Sequence, residues 1–509
     1  MTTRSLWLDT PLPGFPTLTA DRRCDVAILG GGITGLTAAY LLQRAGKSVV
    51  VLERDKLAAA DTGHTTAHLA YVTDLRLSKL VDTFGEEAAR LVWQAGQAAI
   101  NAIEAIADKE RIECQLRRVP GFLHASLTEK SDETHALRDE TDLARELGFA
   151  ASFRETVPHF QKPGIVFPNQ AKFHPRAYLA GLARAIEQGG GAIFEQSEAT
   201  EAAGDPIVVK ANGHSVRCEH LVIATHVPLM GKTALVPATL FQTKLAPYSS
   251  YAVGAVVPKG TLPEACFWDT SDPYYYLRVD SRAESDYAIF GGEDHKTGQV
   301  ADTDQCFVKL EAMLKQILPS ARPDRRWSGQ VVETNDGLPY IGETAQRQYV
   351  ATGFSGNGMT FGTASAMMIC DAITGKENPW QELFSVDRKK VRGGVWQYLK
   401  ENFDYPYYLI ADRLSSSEGT ATIDVPRGEG KILTLDGQRV ACSRDDQGQV
   451  TTVSAVCPHM GCLVHWNGAE RTWDCPCHGS RFHPSGEVLA GPAESPLEAI
   501  SRQQTAAAS

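Results

Sequence analysis

Across its 509 residues the chain has no stretch approaching the roughly 18 consecutive apolar residues that a membrane-spanning helix needs. Its opening, MTTRSLWLDTPLPGFPTL, breaks scattered apolar residues with prolines and lacks the continuous apolar core of a signal peptide. The expected location is cytoplasmic, with no integral membrane segment. Positive charge is in deficit too: 50 Lys and Arg stand against 61 Asp and Glu, a net charge of -11. A polyanion binder needs clustered cations that release counterions, so nucleic acid is excluded as a partner. Cysteine is thin over most of the length. Cys24, Cys114, Cys218, Cys266, Cys306, Cys370 and Cys442 stand far apart, which suits reduced, buried thiols better than a secreted disulfide framework.

What is present begins with CDVAILGGGITGLTAAYLLQRAGKSVVVLERD, residues 24–55. A short apolar run at 26–29 ends in Gly30, Gly32 and Gly35, a helical pattern follows and stops near Gly46, and a second apolar run at 48–52 closes on Glu53 and Arg54. This is the pattern of a dinucleotide site. Gly30 permits the tight turn, Gly32 admits a pyrophosphate to the backbone, Gly35 lets helix and strand pack, and the helix N-terminus favours negative charge. Glu53 is placed to accept hydrogen bonds from a ribose hydroxyl pair.

The segment after it, AAADTGHTTAHLA, with Thr65, Thr66 and Ala67, resembles the second flavin-contacting stretch of the D-amino-acid oxidase, glycine oxidase and sarcosine oxidase superfamily. FHPRAYLAGLARAIEQGGGAIFEQSEATEA with HLVIATH, and then TNDGLPYIGE with ATGFSGNGMTFGTASAMMICDAITG, match the same family in order. The likeness spans about residues 24–385 and implies FAD, held in part by Gly353, Gly356, Asn357, Gly358 and Met359. The glycines let backbone amides approach a flat ring or phosphate, and the helix expected from near Thr360 offers a second positive dipole end. The resemblance implies oxidation of a small amine or amino acid at a C–H bond beside nitrogen, chemistry that the cofactor carries.

The expected architecture is an α/β Rossmann-like FAD-binding domain with an inserted α+β substrate domain. FAD-binding parts are expected at about 22–80, 170–235 and 326–380 of an oxidoreductase unit covering 1–390, and substrate-binding parts at about 81–169 and 236–325. In DPYYYLRVD, alternation puts Tyr274, Tyr276 and Arg278 on one face and Tyr275 and Leu277 on the other. By the family likeness, Arg278, Tyr276 and Tyr248 are the candidates for the substrate pocket, with Arg278 holding a carboxylate; a solvated sheet face is the competing reading. His64 and His68 are possible points of flavin attachment or ordinary packing residues, and His226 and His295 are expected to pack.

After a linker arm at 391–418, short alternating runs with turns at RGEG, LDGQ and DDQG indicate a small antiparallel β domain at 419–509. It carries CPHMGCLVHWNGAERTWDCPCHGS, residues 457–480. Cys457 and His459, then Cys475 and His478, resemble the Rieske [2Fe-2S] module, a C-terminal all-β domain in which two thiolates hold one iron and two imidazoles the other. The closest likeness is to the cytochrome-complex type, which implies a disulfide between Cys462 and Cys477 and leaves His465 on the surface. A closed zinc site is the competitor. Ser480 matches that type, whereas Phe482 stands where high-potential members have a tyrosine. Fewer hydrogen bonds to the cluster sulfurs imply a potential below that of respiratory relatives, within roughly -150 to +300 mV.

The pairing implies a flavin dehydrogenase that passes electrons singly through the cluster to a one-electron carrier protein or other acceptor. Two other readings stay open: reverse flow from cluster to flavin, and a simple oxidase with a redox-sensing appendage. A Rieske oxygenase would need two His and a carboxylate around a mononuclear iron, and no such set stands out before residue 457.

Overall fold

The computed structural model describes residues 1–227, 244–388, 407–408 and 417–500. At its centre is a six-stranded sheet in the order Tyr340–Ala345, Gln348–Thr352, His220–Ile223, Val26–Leu29, Val49–Leu52, Ala192–Phe194. All neighbours are parallel except the first pair. Val26–Leu29 and Val49–Leu52 are unbroken apolar runs because layers cover both faces of a parallel sheet. On one side the helix Ile33–Arg44 packs against the helix Gly358–Thr374, bringing the two ends of the oxidoreductase unit together. The second helix begins two residues before the expected Thr360.

A ten-stranded sheet forms the inserted part. Its order is Thr2–Thr3, Arg322–Thr334, Leu245–Pro258, Ser285–Lys296, Tyr276–Ser281, Cys266–Asp269, Arg117–His124, Gly164–Lys172, His68–Leu69, with Ser152–Arg154 also paired to Gly164–Lys172. One face of its middle strands packs on the helix Asp304–Ile317, through Phe267, Leu277, Phe290, Phe307 and Leu310. The opposite face meets the dinucleotide part and forms a cavity wall.

The C-terminal unit consists of two small antiparallel sheets: Gly430–Leu435, Gln438–Arg444, Val450–Ser454, and His465–Asn467, Thr472–Asp474, Arg481–Phe482, Val488–Ala490. The first hairpin turns through Asp436 and Gly437, both at positive φ (48° and 76°), the backbone that a two-residue hairpin with native strand twist requires. Most of the expected linker arm falls outside the described residues. Among these, no helix is long and apolar enough to cross a membrane.

Candidate functional site

A cavity of about 360 Å³ lies between the parallel sheet and the ten-stranded sheet. Gly30, Gly32, Glu53, Arg54, Thr65, Thr66, Gly356, Asn357, Gly358 and Met359 all line it. Gly35, Ala67 and Gly353 do not: they shape the wall from behind. A Cβ on Gly35 would come within 1.9 Å of the Gly30 carbonyl oxygen, and one on Gly353 within 2.2 Å of the Thr334 side chain. Gly32 and Gly358 differ, since a Cβ there meets nothing closer than 3.1 Å and nothing within 4 Å, respectively. Their open backbone faces room that a ligand can use. Glu53 is already turned into the glycine loop, accepting from Gly31 N at 2.7 Å and Asp55 N at 2.8 Å, while burial pushes its carboxyl up. The cradle of glycines, acid and two helix N-termini fits FAD.

The sheet wall corrects two expectations. Arg278 follows the predicted alternation but does not reach the cavity. Its side chain is 2% exposed and fully engaged: Nε and Nη2 donate to Asp280, and Nη1 donates to the carbonyls of Thr66, Ala67 and Phe173 at 2.8–3.2 Å. Although burial alone would raise the Asp280 carboxyl, the Arg278 and Lys172 charges hold it down to about 2. Arg278 therefore fixes the turn at residues 65–67, where Ala67 takes φ 58°, and lies outside the cavity lining, where it does not reach a substrate carboxylate. Tyr248, on Leu245–Pro258, pairs with Lys296 and Val331 outside the lining.

Tyr276 does line the cavity, with Tyr274 beside it. The Tyr276 hydroxyl lies 2.8 Å from Ser250 Oγ, and that of Tyr274 donates to Asp74 Oδ2 at 2.8 Å. Asp74, Asp294 and Gln330 also line the wall and were missed in the sequence. One signal was available: Gly291 and Gly292, side by side in a strand, mark a close approach, since a Cβ on either would strike the rings of Tyr276 or Tyr275. His64, His68 and His226 line the cavity, whereas His295 packs behind it on Tyr251. Burial holds the His68 imidazole down to about 3, hence neutral.

The Rieske-like residues sit on two loops with the same backbone hydrogen bonds. Cys457 N donates to Cys462 O and Gly461 N to Cys457 O; Cys475 N donates to Ser480 O and Gly479 N to Cys475 O. Gly461 and Gly479 occupy matching positive-φ positions, 81° and 68°. Cys462 and Cys477 form a disulfide between the loops. The Cys457 and Cys475 thiols face each other, and the rings of His459 and His478 are 4.9 Å apart. Both Nδ1 atoms are buried without a hydrogen bond, an arrangement that is costly unless the atoms take another partner. Two thiols and two such nitrogens on twin loops fit a [2Fe-2S] cluster with mixed ligation. Phe482 is fully buried beside the two cysteines.

The loop bearing Cys475 and His478 is docked on the oxidoreductase unit. Gln330 Nε2 donates to Gly479 O at 2.9 Å and lies 3.2 Å from Thr297 Oγ1; Gln299 Nε2 donates to Pro476 O at 3.0 Å. His465 is not a surface residue: it is half-buried, with its Nδ1 2.8 Å from Gly298 O, because it forms part of this joint. Residues 489–491 complete the rim of the flavin cavity, where Arg54 donates to Leu489 O at 2.7 Å.

Replacing Arg278 by Met should lower stability by about 3–5 kcal/mol, the usual effect of breaking a buried ion pair, and lower the flavin-to-protein ratio. Denaturant midpoint and flavin absorbance read the two effects. Phe482→Tyr adds a hydroxyl near the cluster sulfurs and should raise the cluster midpoint potential in a redox titration followed by its spin signal.

Residues 25–372 match the FAD dependent oxidoreductase family, and residues 420–501 match the Rieske [2Fe-2S] domain. The chain is 34% identical over 498 residues to a Bacillus subtilis protein described as a Rieske 2Fe-2S iron-sulfur protein, YhfW, covering 96% of each. It is 25% identical over 417 residues to the γ-glutamylputrescine oxidoreductase of Escherichia coli, covering 79% of this chain and 95% of that one. Among solved structures, glycine oxidase from Geobacillus kaustophilus superposes with a TM-score of 0.61 at 19% identity, covering 72% of this chain and 99% of the other. The chain belongs to the FAD dependent oxidoreductase family and carries, C-terminal to that unit, a Rieske [2Fe-2S] domain.

Proposed function

We propose that this protein dehydrogenates a small amine or amino acid at the C–H bond beside nitrogen and releases the electrons through its Rieske cluster to an external one-electron acceptor. One observation carries the reading: the loop bearing Cys475 and His478 is docked on the wall of the flavin cavity, with Gln330 hydrogen-bonded across the joint. Bound FAD supplies a two-electron acceptor for hydride, chemistry that belongs to the cofactor. The residues of the chain bind and orient. Glu53 and the glycine turns hold the dinucleotide end, Arg278 fixes the turn at residues 65–67, and Tyr274 and Tyr276 wall the far end. Similarity to a protein named for γ-glutamylputrescine, an amine-bearing compound, supports the substrate class.

A sensing appendage on a simple oxidase would need no shared wall, and several hydrogen bonds join the two units here. Flow from cluster to flavin would use the same contacts, so direction is a matter for experiment. The test is anaerobic addition of single amines and amino acids, following the visible flavin bands together with the low-temperature spin signal of the cluster. Bleaching followed by the cluster signal is expected; bleaching while the cluster stays oxidised would overturn the reading. Gln330→Leu should slow the cluster signal about tenfold more than it slows bleaching, a difference of about 1.4 kcal/mol in barrier.

A further inference from the structure

One end of the cavity holds a group of side chains that flavin binding does not explain. Asp74 comes from the loop before the helix Leu77–Phe84, Asp294 from Ser285–Lys296, and Tyr274 and Tyr276 from the start of the neighbouring strand. The two rings are 5.6 Å apart and tilted by 48°. The Tyr274 hydroxyl donates to Asp74 Oδ2 at 2.8 Å, and Asp74 still presents accessible surface to the cavity. Asp294 lies deeper: the Ser250 hydroxyl bears on its carboxylate, while its Oδ1 is buried and has no hydrogen-bond partner. A buried acceptor in that condition is costly until a donor arrives.

Among the described residues, no lysine or arginine of the cavity lining answers these carboxylates. Among the described residues, the lining holds one Arg and no Lys, and that residue, Arg54, donates to Leu489 O beside Glu53. Arg278, on the same strand as the tyrosines, is consumed by Asp280 and three carbonyls. A substrate carboxylate placed here would meet two acids and no counter-charge. An ammonium group would meet two acids, one with a buried oxygen that lacks a donor, beside two aromatic rings.

We infer that this end of the cavity is a subsite for an alkylammonium ion that carries no carboxylate, held by Asp294 and Asp74 beside the paired rings of Tyr274 and Tyr276. The inference deepens the amine-dehydrogenase reading and rests on it. Burial pushes the Asp294 carboxyl up to about 7, so a bound cation competes with protons for it. Among the neighbours, the His68 imidazole and the Tyr274 and Tyr276 phenols keep one protonation state in that window. His68, edge-on to Tyr276, is held neutral by burial, Ser250 and the tyrosines stay protonated, and Glu293 is occupied by the Tyr275 hydroxyl at 2.6 Å and by Lys309 at 3.7 Å. Cation affinity therefore rises as pH climbs through about 7, because the folded protein gives up protons on binding.

The test uses two probes that have no hydrogen on the carbon bearing nitrogen and so cannot be dehydrogenated there: tert-butylammonium and 2-aminoisobutyrate, which differ by the carboxylate. Each is titrated into the oxidised, flavin-loaded full-length protein and read from the shift of the flavin bands. The expected result is tert-butylammonium binding at least about tenfold tighter than 2-aminoisobutyrate, and tightening between about pH 6 and about pH 8. Asp294→Asn, which keeps the shape and removes the charge, should weaken tert-butylammonium by about tenfold, with the flavin-to-protein ratio showing that the variant is folded. Equal or tighter binding of 2-aminoisobutyrate by the unaltered protein overturns the inference without recourse to any variant, as does an Asp294→Asn variant of full affinity. Because neither probe is oxidised, the result is independent of whether the protein is a dehydrogenase at all.

Discussion

The hydrogen bond from Gln330 to the carbonyl of Gly479 is the contact through which the two halves of this molecule become one device. Gln330 is 4% exposed, lines the flavin cavity, and reaches the residue next to His478. Around it the fit is close. A Cβ on Gly298 would come within 2.8 Å of the Cys475 backbone, and one on Gly479 within 2.6 Å of Pro247. A domain that swung freely would show a polar, loosely packed joint of the kind transient interfaces have. Here Ala469 of the C-terminal unit is instead part of the apolar core beneath the ten-stranded sheet, and Thr303 and Asn467 are hydrogen-bonded at 2.8 Å.

The same economy of charge runs through the cavity. Lys172, Arg278, Asp280 and Glu264 form a buried network that spends its cations on scaffolding, leaving the tyrosine end acidic. Breaking such a network is costly because each remaining charge stays buried. The held turn at residues 65–67 and the absence of Arg278 from the cavity lining thus follow from one placement: Arg278 points beneath the turn and not into the cavity.

Features whose cause is local were legible in the sequence. Val26–Leu29 with its glycine turn, the Asp436-Gly437 hairpin and the twin cluster loops are each specified by adjacent residues with demanding backbone or ligand chemistry. The side-chain alternation in DPYYYLRVD was legible too, but not what lay above it. Arg278 meets Thr66 across 212 positions, Tyr274 meets Asp74 across 200, and Gln330 meets Gly479 across 149. No periodicity or motif encodes such pairs. His465 was misread for the same reason, since its partner Gly298 lies on another unit 167 positions away.

The proposed function requires flavin site and cluster to be wired within one chain by a fixed joint. The most direct measurement is the rate of cluster reduction after rapid anaerobic mixing with a saturating substrate, followed by freeze-quench spin spectroscopy over a range of protein concentrations. A first-order rate that does not change with protein concentration is expected. A rate that grows in proportion to protein concentration would mean that electrons cross between molecules, and would contradict the wired joint.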